Sequence, residues 1–269
     1  MSPPSIIVCG CTKNSANYIQ SHLEKLNSLR SIYSQYKMVI FENDSTDNTK
    51  AILKQFEASH DNVHMLFDTL NGKIKTPATI KPHSRYVHKP LNLSYARNAL
   101  LDYIETHFSN FDHMIMVDLD SVVNKFKPSL IRNILEKYGS SSWDVLTANS
   151  AGKYYDIWAL RVYPDIWDPE LHGKLWKYPI DYDCWMMRDT RKSVSGNQIS
   201  IPVDFPLIPV TSAFGGMGIY RISSIQGCRY SAEFDQSLTC EHVTFHDQII
   251  KKGGKIFICP DMVVQSQCR

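Results

Sequence analysis

His113-Met114-Ile115-Met116-Val117-Asp118-Leu119-Asp120 is the stretch on which the reading of this chain turns. Four apolar residues run together between polar neighbours, the pattern of a short strand buried on both faces. In an extended chain, side chains two apart share a side, so Asp118 and Asp120 should point together off the strand's carboxyl end. Open α/β sheets bind ligands at that edge. Paired carboxylates there suit a hard divalent cation, Mg²⁺ or Mn²⁺, which takes oxygen ligands and can neutralise a diphosphate. A second triplet of the same spacing, Asp181-Tyr182-Asp183, follows Lys-Tyr-Pro-Ile in a Trp- and Pro-rich region and reads as a solvated loop.

Upstream of the central stretch, strands and helices alternate. Residues 5–11 (SIIVCGC), 37–41 (KMVIF) and 63–67 (VHMLF) read as strands. Helices are expected at 15–29, where Ile19, Leu23, Leu26 and Leu29 keep helical spacing, and at 48–58. Glu42-Asn43-Asp44-Ser45-Thr46-Asp47-Asn48-Thr49, after the second strand, is a run of cap and turn residues. Residues 70–92 hold three prolines and no periodicity and read as a loop. Ser94 then reads as the cap of a helix striped by Ala96, Ala99, Leu100, Tyr103, Ile104 and Phe108. Arg97 would fall in its first turn, where free N–H groups and a guanidinium together suit phosphate oxygens. Asn98 is a second candidate there.

Downstream, a helix is expected near 129–138 and a strand at 144–148. Residues 152–205 carry Trp158, Trp167, Trp176 and Trp185 among Tyr and Pro and read as an irregular insertion. Phe214-Gly215-Gly216-Met217-Gly218 is a glycine turn leading into a strand, and 240–251 a helix, with a closing strand at 255–259. Alternation of this kind predicts an α/β fold with a mostly parallel sheet and right-handed crossovers.

Composition is that of a globular protein: 269 residues, 43% hydrophobic and 21% charged, enough for a sizeable core. A net charge of +2 gives no case for a nucleic-acid partner. No segment approaches the length of a membrane span, and the first apolar run is too short for a signal peptide, so a cytoplasmic setting is expected. Seven cysteines without a paired CxxC framework read as reduced thiols, with a Cys228–Cys240 bridge as the alternative.

The order of these pieces resembles the nucleotide-sugar glycosyltransferases of GT-A type: strand, acidic turn, Ser94-Tyr95-Ala96-Arg97-Asn98-Ala99 helix, Asp-x-Asp strand, Gly-Gly segment, acidic helix. The likeness covers the chain outside 152–205. Glu42-Asn43-Asp44-Ser45, Tyr155-Asp156-Ile157-Trp158-Ala159 and Gly215-Gly216 also resemble fungal capsule-associated mannosyltransferases and similar viral and microbial enzymes.

The resemblance implies one Rossmann-like domain over 1–269, with 1–125 as the nucleotide-sugar half and 126–269 as the acceptor half. It implies transfer of a hexose from a nucleotide diphosphate sugar to a glycan or protein hydroxyl with Mn²⁺ or Mg²⁺. Glu42, with Asp44 beside it, would face the nucleotide, though Asp44 and Asp47 also read as turn and cap residues. Asp118 would touch the ribose or the metal, and Asp120 would be the cation's main ligand. Many relatives carry Glu-Asp on the acidic helix, the Asp acting as base on the acceptor. Here the pair is Glu241-His242. Glu241 could be the base, His242 could replace the Asp, or the reaction could retain configuration and need no such base. His242 and His246, four apart on one helix face, could also ligate metal. Gly215 and Gly216 fit a close backbone approach to sugar, or a bulge at a strand start. Asp156 could bond acceptor hydroxyls and Trp158 could stack on a sugar face. A sugar-phosphate nucleotidyltransferase, or an inactive binding protein of the same fold, remains the alternative.

Overall fold

The computed structural model describes residues 4–33, 35–74, 88–139, 141–184, 191–234 and 237–265. Its strands are β1 (Ile6–Thr12), β2 (Tyr36–Asn43), β3 (Val63–Asp68), β4 (His113–Val117), β5 (Val145–Ser150), β6 (Ile208–Val210), β7 (Met217–Arg221), β8 (Glu233–Phe234), β9 (Ser237–Leu238) and β10 (Ile256–Val264). The helices are α1 (Ile19–Asn27), α2 (Thr49–Ala58), α3 (His88–His107), α4 (Pro128–Tyr138), α5 (Ile222–Ile225) and α6 (Glu241–Lys251). Eight strands form one mixed, mostly parallel sheet in the order β3-β2-β1-β4-β7-β5-β10-β6, and β8 and β9 make a separate hairpin.

The chain lays down β1, β2 and β3 outward in one direction and then returns to place β4 on the other side of β1. That reversal opens a crevice at the carboxyl ends of β1 and β4, the usual ligand position in such sheets. Strand β4 is buried along its whole length. Met114 and Met116 enter the core on one face of the sheet with Ala96, Leu100 and Ile104 of α3, while Ile115 and Val117 enter the other with Leu23 of α1 and Ile131 of α4. The period-two alternation of a doubly covered strand explains why this stretch is apolar at every position. By the same alternation Asp118 leaves the sheet on the α3 face.

Three expectations are corrected. Helix α3 begins at His88, so Ser94 lies inside it and its hydroxyl donates to the Pro90 carbonyl 2.8 Å away, in the preceding turn. A serine inside a helix can bond back to the carbonyl four residues earlier instead of capping, and Pro90 is tolerated in a first turn. Residues 75–87 of the predicted loop, and Trp185, lie outside the described residues. Strand β10 continues past Pro260 to Val264, with its register on β5 shifting between Cys259 and Val263, which accommodates the missing N–H. Asp183 is not solvated: its Oδ2 lies 2.6 Å from Arg161 Nη2 and also accepts from the Thr239 hydroxyl, whereas Asp181 is exposed as expected.

Cys228 and Cys240 are both free thiols, so no bridge joins them. Among the described residues, no helix is long and apolar enough to cross a membrane.

Candidate active site

A cleft of about 710 Å³ opens at the β1/β4 crevice. Its walls come from four places: Cys11, Thr12 and Lys13 at the end of β1; Lys89, Leu93 and Arg97 on α3; Asp118 and Asp120 after β4; and Cys240, Glu241 and His242 at the start of α6. The insertion adds Tyr155, Asp156, Trp158, Val194 and Gln198, and Tyr18 and Phe214 also line the cleft.

Asp118 and Asp120 both line this cleft. Asp120 opens the helical turn Ser121–Val123, and its Oδ1 accepts from the Val122 amide at 3.1 Å. Burial, and then the charge of Asp118, push the Asp120 carboxyl up to about 6. Like charges in a partly desolvated site resist joint ionisation.

Arg97 is the tenth residue of α3, not part of its first turn, and is almost wholly buried. Its Nη1 bonds Glu241 and its Nη2 lies 3.1 Å from Asp118 Oδ1. The guanidinium sits between the Phe214 ring, 5.1 Å away, and the Tyr230 ring, 5.7 Å away. Burial works against its charge, but Glu241 and Asp118 more than offset this and raise its pKa. Arg97 thus locks α3, the Asp118 rim and α6 together across the cleft.

Burial raises the Glu241 carboxyl and the Arg97 charge opposes that rise. His242 stacks on Phe214 with ring centres 3.8 Å apart, and neither of its nitrogens finds a hydrogen-bond partner among the described residues. Burial and then Arg97 hold its pKa far below the ordinary value, so the imidazole is neutral.

The remaining candidates divide. Asp156 and Trp158 reach the cleft. Trp167 instead stacks on His172, and Trp176 is buried with its indole N–H on the Asn197 carbonyl. Asp156 Oδ2 accepts from the Gly215 amide at 3.0 Å. Gly215 has φ +67°, and a Cβ there would lie 2.2 Å from the Ala148 carbonyl oxygen; one on Gly216, at φ +89°, would lie 2.5 Å from Val122. Internal crowding thus accounts for both glycines, and neither lines the cleft.

His246 is not brought to the acid pair: it is fully buried, with Nδ1 3.0 Å from the Ser212 hydroxyl and Nε2 3.1 Å from the Tyr220 hydroxyl. Asn98 exchanges two hydrogen bonds with the Tyr230 backbone. Asp44, at φ +51°, accepts from the Leu70 amide at 3.0 Å, and Glu42 accepts from the Ser45 amide at 2.8 Å, both holding the turn after β2. None of these residues lines the cleft.

Sequence reading did not single out Lys13, Lys89 or Phe214, which also line the cleft. Lys13 had a usable signal, since it follows β1 directly at the ligand-binding edge. Lys89 had none, because it lies in a stretch that reads as proline-rich loop.

The model of glycosyl transferase family 2 matches residues 5–194. The chain belongs to this family. That span takes in β1 through β5 and much of the insertion, hence the acid pair, Arg97 and Asp156. No curated protein matches this family 2 chain. Among solved structures it is similar to a mannosyltransferase from Pyrobaculum calidifontis in complex with GDP-Man and Mn²⁺, with TM-score 0.54 and 11% identity over 98% of this chain and 59% of that one. It is also similar to residues 1–349 of TarS from S. aureus, with TM-score 0.51 and 14% identity over 97% of this chain and 60% of that one. At such identities the likeness is one of fold. The chain spans only about 60% of the length of these two solved chains.

Proposed function

We propose that this family 2 chain is a metal-dependent hexosyltransferase, which moves a hexose from a nucleotide diphosphate sugar to a hydroxyl of a glycan or protein. The observation that carries the reading is the convergence of Asp118 and Asp120 on one cleft at the sheet's switch point. Residues 1–269 would act as one domain, 1–125 holding the nucleotide and 126–269 the acceptor. Its buried free thiols suit a reducing compartment, which we take to be the cytoplasm.

The acid pair fits a hard cation. Its donors are all oxygen, and burial followed by the Asp118 charge raises the proton affinity of Asp120, which a bound cation would offset. Among the described residues no third His, Cys, Asp or Glu joins them as a metal cluster. Mg²⁺ and Mn²⁺ accept so few protein ligands when phosphate and water oxygens complete the shell. Asp118 and Asp120 would hold the ion, which when bound supplies Lewis-acid neutralisation of the departing diphosphate. The solved neighbour with GDP-Man and Mn²⁺ agrees with this reading.

The chain's own groups do the rest. Lys13 and Lys89, both exposed on the cleft wall, supply positive charge to the diphosphate. Arg97 acts indirectly, by holding Asp118 in place. Trp158 offers an aromatic face to a pyranose.

Thermal unfolding with UDP or GDP, with and without Mn²⁺, tests the binding half. A rise in Tm that needs both nucleotide and metal is expected, since a ligand selective for the folded state stabilises it. Nucleoside diphosphate release from a panel of UDP- and GDP-hexoses tests turnover. The absence of both signals rejects the reading, and metal-dependent binding without turnover favours the inactive binding protein instead.

A further inference from the structure

Resting on the transferase reading above, we propose that Asp156, rather than Glu241 or His242, is the catalytic base that deprotonates the acceptor hydroxyl. Among the described residues, three carboxylate or imidazole side chains on the acceptor side line the cleft: Asp156, Glu241 and His242. A base is neutralised, or becomes cationic, when it takes the proton, so its neighbours decide what that change costs.

Glu241 is a poor candidate on this ground. It is buried and bonded to the buried guanidinium of Arg97. Neutralising it would leave Arg97 with Asp118 as its only remaining counter-charge among the described residues. His242 fails for the opposite reason. Its imidazole is buried against Phe214, and protonation would create a second cation beside Arg97. Glu241 Oε1 lies 3.9 Å from His242 Nε2, but that carboxylate already answers the guanidinium.

Asp156 makes its hydrogen bonds to neutral partners, while burial and then the Asp118 and Glu241 carboxylates favour its taking up a proton. Its carboxylate accepts from the backbone amides of Gly215 and Ala159. Two amides leave lone pairs free on a group that can accept about four hydrogen bonds. Gly215 is the residue that lets this happen: its left-handed backbone turns the amide toward Asp156, at a point where a side chain would strike the Ala148 carbonyl. The carboxylate is thereby fixed in orientation without being charge-paired, which is what a general base requires.

The step balances as a single displacement. The acceptor oxygen bonds to the anomeric carbon of the hexose while its proton passes to Asp156. The bond from that carbon to the diphosphate oxygen breaks, and the electron pair leaves with the diphosphate. The product has the opposite anomeric configuration to the donor.

The test uses the full chain with Mn²⁺, UDP- and GDP-hexoses as donors and methyl glycosides as acceptors. Asp156→Asn keeps an oxygen for the Gly215 amide. Its transfer kcat should fall about 10²–10⁴-fold, with the Tm shift from UDP or GDP plus Mn²⁺ unchanged. In Asp156→Ala, added formate should restore part of the lost turnover, which a merely structural residue would not permit. Transfer within threefold of the parent in Asp156→Asn overturns the proposal. So does a product that retains the donor's configuration, or an Asp156→Ala protein whose turnover formate does not raise. If the parent chain itself neither binds nucleotide with Mn²⁺ nor turns over, the transferase reading has failed instead.

Discussion

Asp118-Leu119-Asp120 and Asp181-Tyr182-Asp183 are the same pattern in two settings. The first pair ends a strand buried on both faces, at the place where the sheet changes direction, and both carboxylates line the cleft. The second lies in the insertion and is split: Asp181 faces solvent while Asp183 is held by Arg161 and Thr239. Arg161 in turn donates to the carbonyls of Trp158 and Leu160, at 3.1 and 2.7 Å. Asp183 therefore braces the turn that presents Trp158, and Thr239 ties it to the segment entering α6. Spacing alone did not separate the pair that lines the cleft from the structural one. The regular, doubly covered strand before the first pair did.

The contrast can be broken most sharply at Asp120. Asp120→Asn should lower hexosyl transfer by about 10³-fold or more, in the range of a lost transition-state electrostatic contact. Its Tm should stay level or rise, because a like-charge contact with Asp118 is relieved. An active Asp120→Asn enzyme would remove the distinction between the two triplets.

Asp183→Ala should do the reverse. Removing one member of a buried ion pair costs about 3–5 kcal/mol, here because Arg161, 3% exposed on its side chain, loses its counter-charge. Urea unfolding should show that loss, while UDP or GDP binding with Mn²⁺ persists at temperatures where the protein is folded. Unchanged stability would mean that Asp183 braces nothing.

The amino end of the strand that leads to Asp118 makes a third test. His113 is buried and stacked on Trp143, and burial followed by the Arg221 charge lowers its pKa to about 4. Above an ordinary value near 6.5 both folded and unfolded forms are neutral. Below it the unfolded chain gains a proton that the folded one refuses, so stability falls as the pH drops from about 6.5 to 4. The slope is about 1.4 kcal/mol per pH unit, or about 2 kcal/mol by pH 5. His113→Phe should flatten that part of the acid limb, as measured by Tm against pH; an unchanged limb would remove His113 from the account.

Asp181→Asn should be the smallest change. A solvent-facing carboxylate outside the cleft should move Tm by no more than about 1 °C and leave transfer untouched. A large effect on either would show that the second triplet has a role beyond Asp183.

Most of the fold was legible in local pattern. The strands at the central stretch and at 5–11, 37–41 and 63–67, and the helices at 48–58 and 240–251, appear within a few residues of their expected places. The candidate site was legible only in part. Asp118, Asp120, Asp156, Trp158, Glu241 and His242 meet in one cleft. Glu42, Asp44, Asn98 and His246 hold backbone or core instead, and a capping or core histidine pattern is indistinguishable from a ligand pattern along the chain.

Period-two and helical spacing depend on neighbours a few residues apart, so the one-dimensional record was enough to lay out a mostly parallel α/β sheet and to single out the acid pair. The partner of Arg97 is different in kind. Glu241 lies 144 residues further on, and nothing in either residue's surroundings announces the pairing. Folding brings them together because the return of the chain after β3 sets α3 and α6 on the same side of β4. Charge neutralisation across that buried contact commits an expected phosphate ligand and an expected base to each other, and leaves Asp156, held only by neutral amides, on the cleft wall.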